Sequence, residues 1–120
     1  STPKGILRHT GDTNWANVST PSGITGNVQW RRYAHRIHMR FNLESTTAVA
    51  SDAALTPVCT MPAAARANLR SGDIESFAVI WGGSGGGVGF MNTSGVISVR
   101  NLHTTAQSIF KATASWLPAT

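Results

Sequence analysis

The amino-acid sequence predicts an all-β fold, an antiparallel β-sandwich in a single domain. Short runs in which apolar and polar residues alternate recur along the 120-residue chain, and segments rich in Gly, Ser, Asn and Thr separate them. The sequence has no internal repeat and no sustained helical pattern. Seven or so short strands without helices are typical of a sandwich, and a chain of this length suits one core.

Composition limits the functional classes. Apolar residues make up 41% of the chain and charged residues 12%, as expected of a globular protein. We expect no membrane insertion, because no apolar run approaches the roughly 20 residues of a membrane span and no leader pattern opens the chain. The net charge of +5 is modest for a nucleic-acid-binding protein. Residues 1–13 are interpreted as a polar entry segment, cut from a longer protein, and residues 14–120 as the domain.

The densest basic stretch, residues 30–41, is predicted to belong to a β-hairpin. Two runs of period two, residues 28–33 and 36–43, are separated by Ala34 and His35. A two-residue loop at this point fixes the pairing of the strands. The predicted pairs are Tyr33 with Arg36, Arg31 with His38, Gln29 with Arg40, Arg32 with Ile37, Trp30 with Met39, and Val28 with Phe41.

Opposed residues of a hairpin share one face of the sheet, so this pairing separates an apolar face from a basic one. The basic face collects Arg31, Tyr33, Arg36, His38 and Arg40. Sheet geometry therefore explains the basic density without a ligand. A nucleic-acid platform is the main alternative from another class, although the face holds one aromatic residue and not a row of them.

The other strands follow in chain order. Residues 14–20 form a short strand before a turn at 21–23, and Pro57 makes residues 54–62 an edge or bulged strand. Residues 63–70 are expected to be a loop or a single turn. Further strands are predicted at residues 73–81, 88–92, 96–102 and 107–117, with a flexible glycine loop at 82–87.

Alternation also predicts the buried residues. Cys59 is the single cysteine and lies in an apolar stretch, so we expect a buried, inert thiol and no disulfide within the chain. The predicted core consists of Val28, Trp30, Ile37, Met39, Phe41, Val79, Ile80, Phe90, Ile97, Val99 and Phe110.

Signals of catalysis are weak, and we expect neither an enzyme nor a metal or cofactor site. Asp73 and Glu75 lie two apart on a predicted strand, which is typical of solvated acids and only rarely of a glycosidase pair. The four histidines lack metal-ligand spacing. The glycines of residues 82–89 join two strands, whereas a phosphate loop joins a strand to a helix.

Four stretches, in this order and spacing, resemble the C-terminal knob domains of bacteriophage tail fibres and related receptor-binding proteins. The stretches are NWANVSTPSGITGNVQWRRYAHRIHMRFNL, CTMPAAARA, NTSGVISVRN and ATASWLP, and together they cover about residues 14–118. One departure is the pair Ala34–His35, where the family pattern has a turn of the Gly-Asn type. A longer turn is therefore the alternative to the two-residue loop.

The resemblance implies a jelly-roll-like, homotrimeric knob at the tip of a virion tail fibre, assembled in the host cytoplasm. Such a knob binds a saccharide or an anionic polymer of the bacterial surface during adsorption. A structural role in the virion without receptor binding is the alternative. Apolar residues near the two ends of the domain and arginines of the hairpin are candidate subunit contacts. They are Trp15, Trp116, Leu117, Arg31, Arg32 and Arg40.

Two sets of residues are candidates for the receptor site. The first centres on Trp81, which ends a strand beside the glycine loop and so is placed to offer a ring face to a sugar. Trp81 also continues an apolar strand face, so a core position is the alternative. The companions of Trp81 are Asp73, Glu75, Ser84, Asn92, Asn101 and His103. The second set, suited to an anionic polymer, consists of Arg31, Arg36, His38 and Arg40.

Overall fold

A computed structural model describes residues 12–51, 55–83 and 85–119. Within these ranges the chain forms eight strands and one short 3-10 turn, Ala63–Ala65, and it holds no helix long and apolar enough to cross a membrane. The strands are β1 (Ala16–Val18), β2 (Ile24–Tyr33), β3 (Arg36–Val49), β4 (Thr56–Thr60), β5 (Glu75–Trp81), β6 (Gly85–Met91), β7 (Val96–Asn101) and β8 (Gln107–Trp116).

All the strands pair antiparallel in one sheet of order β1-β2-β3-β8-β5-β6-β7-β4. The junction between β8 and β5 is short, with the pairs Ile80–Lys111 and Trp81–Phe110. The half-sheets on either side of this junction contribute to one hydrophobic core. The predicted all-β, sandwich-like architecture is confirmed.

The β2–β3 hairpin has the predicted register throughout. Ala34 and His35 form its two-residue loop, with φ angles of 53° and 65°. Positive φ at both loop residues matches the right-handed twist of the flanking strands, as in a type I′ turn. The short loop is thus confirmed, and the longer turn is wrong. The backbone N–H of Ala34 also donates to Oδ1 of Asp12 at 3.0 Å.

Most of the predicted core is buried. Trp30 is partly buried and packs against the core, but Ile80 is 43% exposed and Phe90 is not part of the core. Those two assignments are wrong because β5 and β6 carry apolar residues on both faces, so alternation alone does not say which face is inside. The confirmed core positions are Val28, Ile37, Met39, Phe41, Val79, Ile97, Val99 and Phe110.

The predicted glycine loop is shorter than expected, because β6 already begins at Gly85. Gly87 and Gly89 lie beneath two aromatic side chains of β5. A Cβ atom on Gly87 would overlap the indole of Trp81 and lie 2.6 Å from the carbonyl oxygen of Arg100, and one on Gly89 would overlap the ring of Phe77. The glycines therefore make the space in which the aromatic rings of the core pack.

Strand β4 lies at one edge of the sheet, as its proline predicts, and its pairing with β7 shifts between Pro57 and Cys59. Cys59 is buried, and this burial raises the pKa of its thiol to about 12. The thiol therefore stays protonated at neutral pH, which confirms the predicted inert cysteine. The expected single turn after β4 is the 3-10 turn Ala63–Ala65.

We predict that Gly87→Ala lowers the free energy of unfolding by about 2 kcal/mol, because the new methyl group displaces the Trp81 ring from a packed core. Urea unfolding monitored by circular dichroism measures the change. Gly86→Ala is the control, since a Cβ atom at Gly86 meets nothing within 4 Å. Equal losses in the two variants would contradict the packing role of Gly87.

The hairpin turn gives a second prediction. Ala34→Gly should raise the free energy of unfolding by roughly 0.5 kcal/mol, because glycine adopts positive φ without the strain that alanine bears there. The control Ala48→Gly, at an exposed position of β3, should lower it by roughly 0.5–1 kcal/mol. The same urea titrations test both, and a loss of stability in Ala34→Gly would count against a strained turn.

Candidate functional site

The outer face of β1, β2, β3 and β8 carries polar side chains, because the alternate residues of these strands fill the core. Register places them in rows across the sheet. One row joins Arg31, His38 and Ser115, and the next joins Gln29, Arg40 and Thr113. The third row joins Asn27, Asn42 and Lys111.

The first two rows border a cavity of about 630 Å³, which we call the basic groove. Its described lining holds three basic side chains, an indole, a phenol and two aliphatic hydroxyls, but no carboxylate. A groove of this composition attracts anions and disfavours cations. The polar and aromatic lining residues are Trp15, Arg31, Tyr33, His38, Arg40, Thr113 and Ser115.

Cations and aromatic rings alternate along the basic groove. The guanidinium carbon of Arg40 lies 3.8 Å from the ring centroid of Trp15. That of Arg31 lies 4.7 Å from the centroid of Tyr33 and 5.7 Å from that of Trp15. Stacking uses the faces of the guanidinium groups, so their terminal N–H groups, which lie in the guanidinium plane, remain available for an oxyanion or a hydroxyl. The Nε atom of Arg31 is buried and has no hydrogen-bond partner among the described residues.

Hydrogen bonds hold the groove side chains in place. Nε of Arg40 donates to Oε1 of Gln29 at 2.9 Å, and Nε2 of Gln29 donates to Oδ1 of Asn17 at 3.0 Å. Nε of Arg36, at the groove rim, donates to Oγ of Ser115 at 2.8 Å. A ligand would therefore meet oriented donors and lose little side-chain entropy in binding them.

The segment before β1 brings Trp15 to the groove. The N–H of Thr13 donates to the carbonyl oxygen of Arg32 at 2.8 Å, and the N–H of Arg32 donates to Oγ1 of Thr13 at 2.9 Å. These two bonds align the segment with β2, so Trp15 lies over the arginines of the neighbouring strands.

A second cavity of about 600 Å³, the amide groove, adjoins the basic groove and shares Arg40 and Thr113 with it. Amides and cations that can bind hydroxyl groups line it, together with the exposed side chain of Ile80. The two grooves make one polar strip across the sheet. The other polar lining residues of the amide groove are Asn27, Gln29, Asn42 and Lys111.

The structure places Trp81 in the core, and the alternative interpretation of this residue is thereby confirmed. Its side chain is fully buried and stacks on Phe110, with ring centroids 4.5 Å apart and planes at 28°. Trp81 offers no ring face to a ligand, which is a correction to the first predicted set.

The companions of Trp81 lie at the two ends of the β5–β6 hairpin and do not converge. Glu75 pairs with Met91 at one end, and Trp81 pairs with Gly85 at the other. A strand of this length separates the two ends by about 20 Å. Asp73, Glu75 and Asn92 belong to the first end, Asn101 and His103 to the second, and Ser84 lies outside the described residues.

No protein-family model and no curated protein matches the chain. Among solved structures, the head domain of the lactococcal phage bIL170, described as a receptor-binding domain, matches with a TM-score of 0.67 and 25% sequence identity. The match covers 88% of this chain and 97% of that one. The chain has the fold of a phage receptor-binding head domain. The resemblance predicted from the sequence is confirmed.

In this head-domain fold the two asparagines of the first predicted set form hydrogen bonds with backbone groups. Oδ1 of Asn92 accepts from the N–H groups of Ser94 and Val96, each at 3.0 Å. Asn101 is fully buried, and its Nδ2 donates to the carbonyl oxygens of Val49 and Thr105, each at 3.0 Å. Both amides therefore have structural roles in the turns that follow β6 and β7.

The second predicted set is brought together. Arg31, His38 and Arg40 line the basic groove, and Arg36 lies at its rim. Sequence reasoning missed Trp15, whose indole completes the groove. The alternation of side chains along a strand would have indicated it. Trp15 lies two residues before Asn17 and so shares its face, and Asn17 pairs with Gln29 of the second row.

Proposed function

We propose that this domain attaches a phage virion to its host by binding a saccharide or anionic polymer of the bacterial surface. The observation that carries the proposal is the structural match, which extends over nearly the whole of a phage receptor-binding head domain. A domain of this kind belongs to the tail of the virion. The ligand of such a domain would lie on the bacterial surface, so its binding site would recognise chemical groups of the cell envelope.

The basic groove is the proposed receptor site. Phosphate or carboxylate groups of an envelope polymer would bind the in-plane N–H groups of Arg31 and Arg40, since guanidinium groups match oxyanions in geometry and charge. Sugar C–H groups would pack on the free parts of the Trp15 and Tyr33 rings. The amide groove would take the hydroxyls of neighbouring sugar units, through the amides of Asn42 and its neighbours.

We propose a binding role without catalysis. The structural neighbour is a receptor-binding domain, and the acids that suggested a glycosidase pair lie away from the grooves. Asp73 and Glu75 are at the opposite end of β5 from Ile80, which borders the amide groove. No group of three metal-ligating side chains occurs in the part of the chain that the structure describes.

We also propose that the domain is a homotrimer. The resemblance to trimeric knobs supports this. The apolar residues predicted to form subunit contacts, however, are not all available for one. Trp116 is buried, and its Nε1 donates to the carbonyl oxygen of Ala65 at 2.9 Å. Trp15 is covered by Arg40 and belongs to the basic groove. Of the apolar candidates only Leu117, which is 59% exposed, stays open to a subunit contact.

Binding of the fluorescently labelled protein to a panel of intact bacteria tests the proposed function. The parent should bind at least one strain, and Arg40→Ala and Arg31→Ala should each weaken that binding by about tenfold, because each removes a charge-assisted contact. Arg70→Ala is the matched control, since it removes an exposed arginine outside the grooves and should bind like the parent. Circular dichroism checks that each variant is folded.

The outcomes separate the alternatives. Groove variants that bind a recognised strain as tightly as the parent would place the site elsewhere. A parent that binds no bacterium but binds oligonucleotides in a salt-dependent manner would instead favour the nucleic-acid function, for which Trp15 supplies a second stacking ring. A parent that binds neither would favour a structural role in the virion.

A further inference from the structure

The polar strip carries one arginine or lysine in each of its three rows. They are Arg31 in the first row, Arg40 in the second and Lys111 in the third. Arg36 adds a further cation before the first row, where it pairs with Tyr33. Successive rows lie two residues apart along the strands, which is roughly 7 Å, so the four rows span about 20 Å. The strip is therefore a line of positive charges that follows the strands.

Acidic side chains lie at both ends of this line of charges. The row after the third joins Thr25, Glu44 and Ile109, and the exposed carboxylate of Glu44 repels an anion. At the other end Asp12 lies at the hairpin loop, where its Oδ1 accepts from the N–H of Ala34 at 3.0 Å. The three rows of the strip hold no carboxylate among the residues that the structure describes. The line thus has a defined length of four arginine and lysine side chains.

The spacing of the rows matches the spacing of charges in a chain of three-carbon polyols joined by phosphodiesters. Six backbone bonds separate successive phosphorus atoms in such a chain. Six bonds of an extended chain span about 7 Å, as they do in two residues of an extended polypeptide. A chain of uronic acids fits less well, because its carboxylates are fixed to rigid rings that turn from unit to unit, so successive charges face different directions.

We propose that the polar strip binds an extended polyol phosphate chain that runs along the strands, with one phosphate at each row. The inference rests on the proposed receptor function and names the class of polymer that the same site takes. Arg31 and Arg40 would bind their phosphates through paired N–H groups, and Lys111 would act as a point charge. The exposed amides of Asn27 and Asn42, in the third row, would bind hydroxyl groups of the polyol.

Single-stranded nucleic acid has the same number of backbone bonds between its phosphates, but the strip suits it less well. A run of bases is bound by a run of aromatic rings, one for each stacked base. The strip offers two rings, and each already lies against an arginine, Trp15 against Arg40 and Tyr33 against Arg31. The observations therefore favour a polymer whose units are small and hydroxylated.

A length series of synthetic glycerol phosphate oligomers tests the inference. Fluorescence anisotropy measures the binding of labelled oligomers of one, two, four and ten units at low salt. The tetramer should bind at least about tenfold more tightly than the dimer, because it reaches all four cations. The decamer should bind little more tightly than the tetramer, because acids end the line of charges. The logarithm of tetramer affinity should fall with the logarithm of salt concentration with a slope of about −3.

Variants at the end of the strip sharpen the test. Lys111→Gln should weaken tetramer binding about fivefold and leave dimer binding unchanged, because a dimer fills the two arginine rows beside the aromatic rings. Arg70→Gln is the matched control, since it removes an exposed cation outside the strip and should change neither affinity. Glu44→Gln should raise decamer affinity severalfold, whereas Glu75→Gln, the same change on β5, should not. Circular dichroism checks that each variant is folded.

Affinity that does not depend on oligomer length would overturn the inference, and so would polygalacturonate fragments that bind as tightly as glycerol phosphate oligomers of equal charge. Oligothymidylate with four phosphates that binds as tightly as the tetramer would overturn it in favour of nucleic acid. A parent that binds bacteria through its arginines but binds no glycerol phosphate oligomer would refute the polymer class and leave the receptor function standing. A parent that binds the oligomers but no bacterium would refute the receptor function instead.

Discussion

The register of the β2–β3 hairpin is the constraint on which the rest of the structure depends. The turn at Ala34 and His35 fixes that register, and each opposed pair then sends its side chains to the same side of the sheet. A slip of one residue would turn Arg40 toward the core and Phe41 toward water. The buried inner face of β2 and β3 and the basic groove on their outer face are therefore two consequences of one turn.

A second constraint joins the half-sheets. Strand β8 continues the hairpin sheet, and its short pairing with β5 places Trp81 against Phe110 in the shared core. Gly87 and Gly89 make room for the aromatic side chains of β5. The glycine-rich composition that predicted a flexible loop therefore serves core packing in part. The polar strip thus lies on the outer face of the half-sheet that holds the hairpin, and it reaches the junction with β5 at Ile80.

The parts of the fold that the sequence predicts are those in which one face is clearly polar. In the hairpin, each apolar residue of β3 alternates with a polar one, so both pairing and burial could be deduced. In β5 and β6 both faces are apolar, and alternation gave no reason to prefer Trp81 over Ile80 for the core. Trp15 was assigned to a subunit contact instead of the groove, because its place over the arginines depends on the bonds between Thr13 and Arg32, which the sequence pattern does not show. Asn42 and Lys111 of the amide groove come together only through the pairing of β3 with β8.

Backbone amide chemical shifts test most directly whether the basic groove binds an envelope polymer. The protein is titrated with an anionic polymer purified from the envelope of a strain that it binds. If the groove is the site, the largest shifts should cluster at Arg31, His38, Arg40 and Thr113 and should weaken as salt is added. Shifts confined to the other end of the domain, around His103 and Gln107, with the groove amides unchanged, would contradict it.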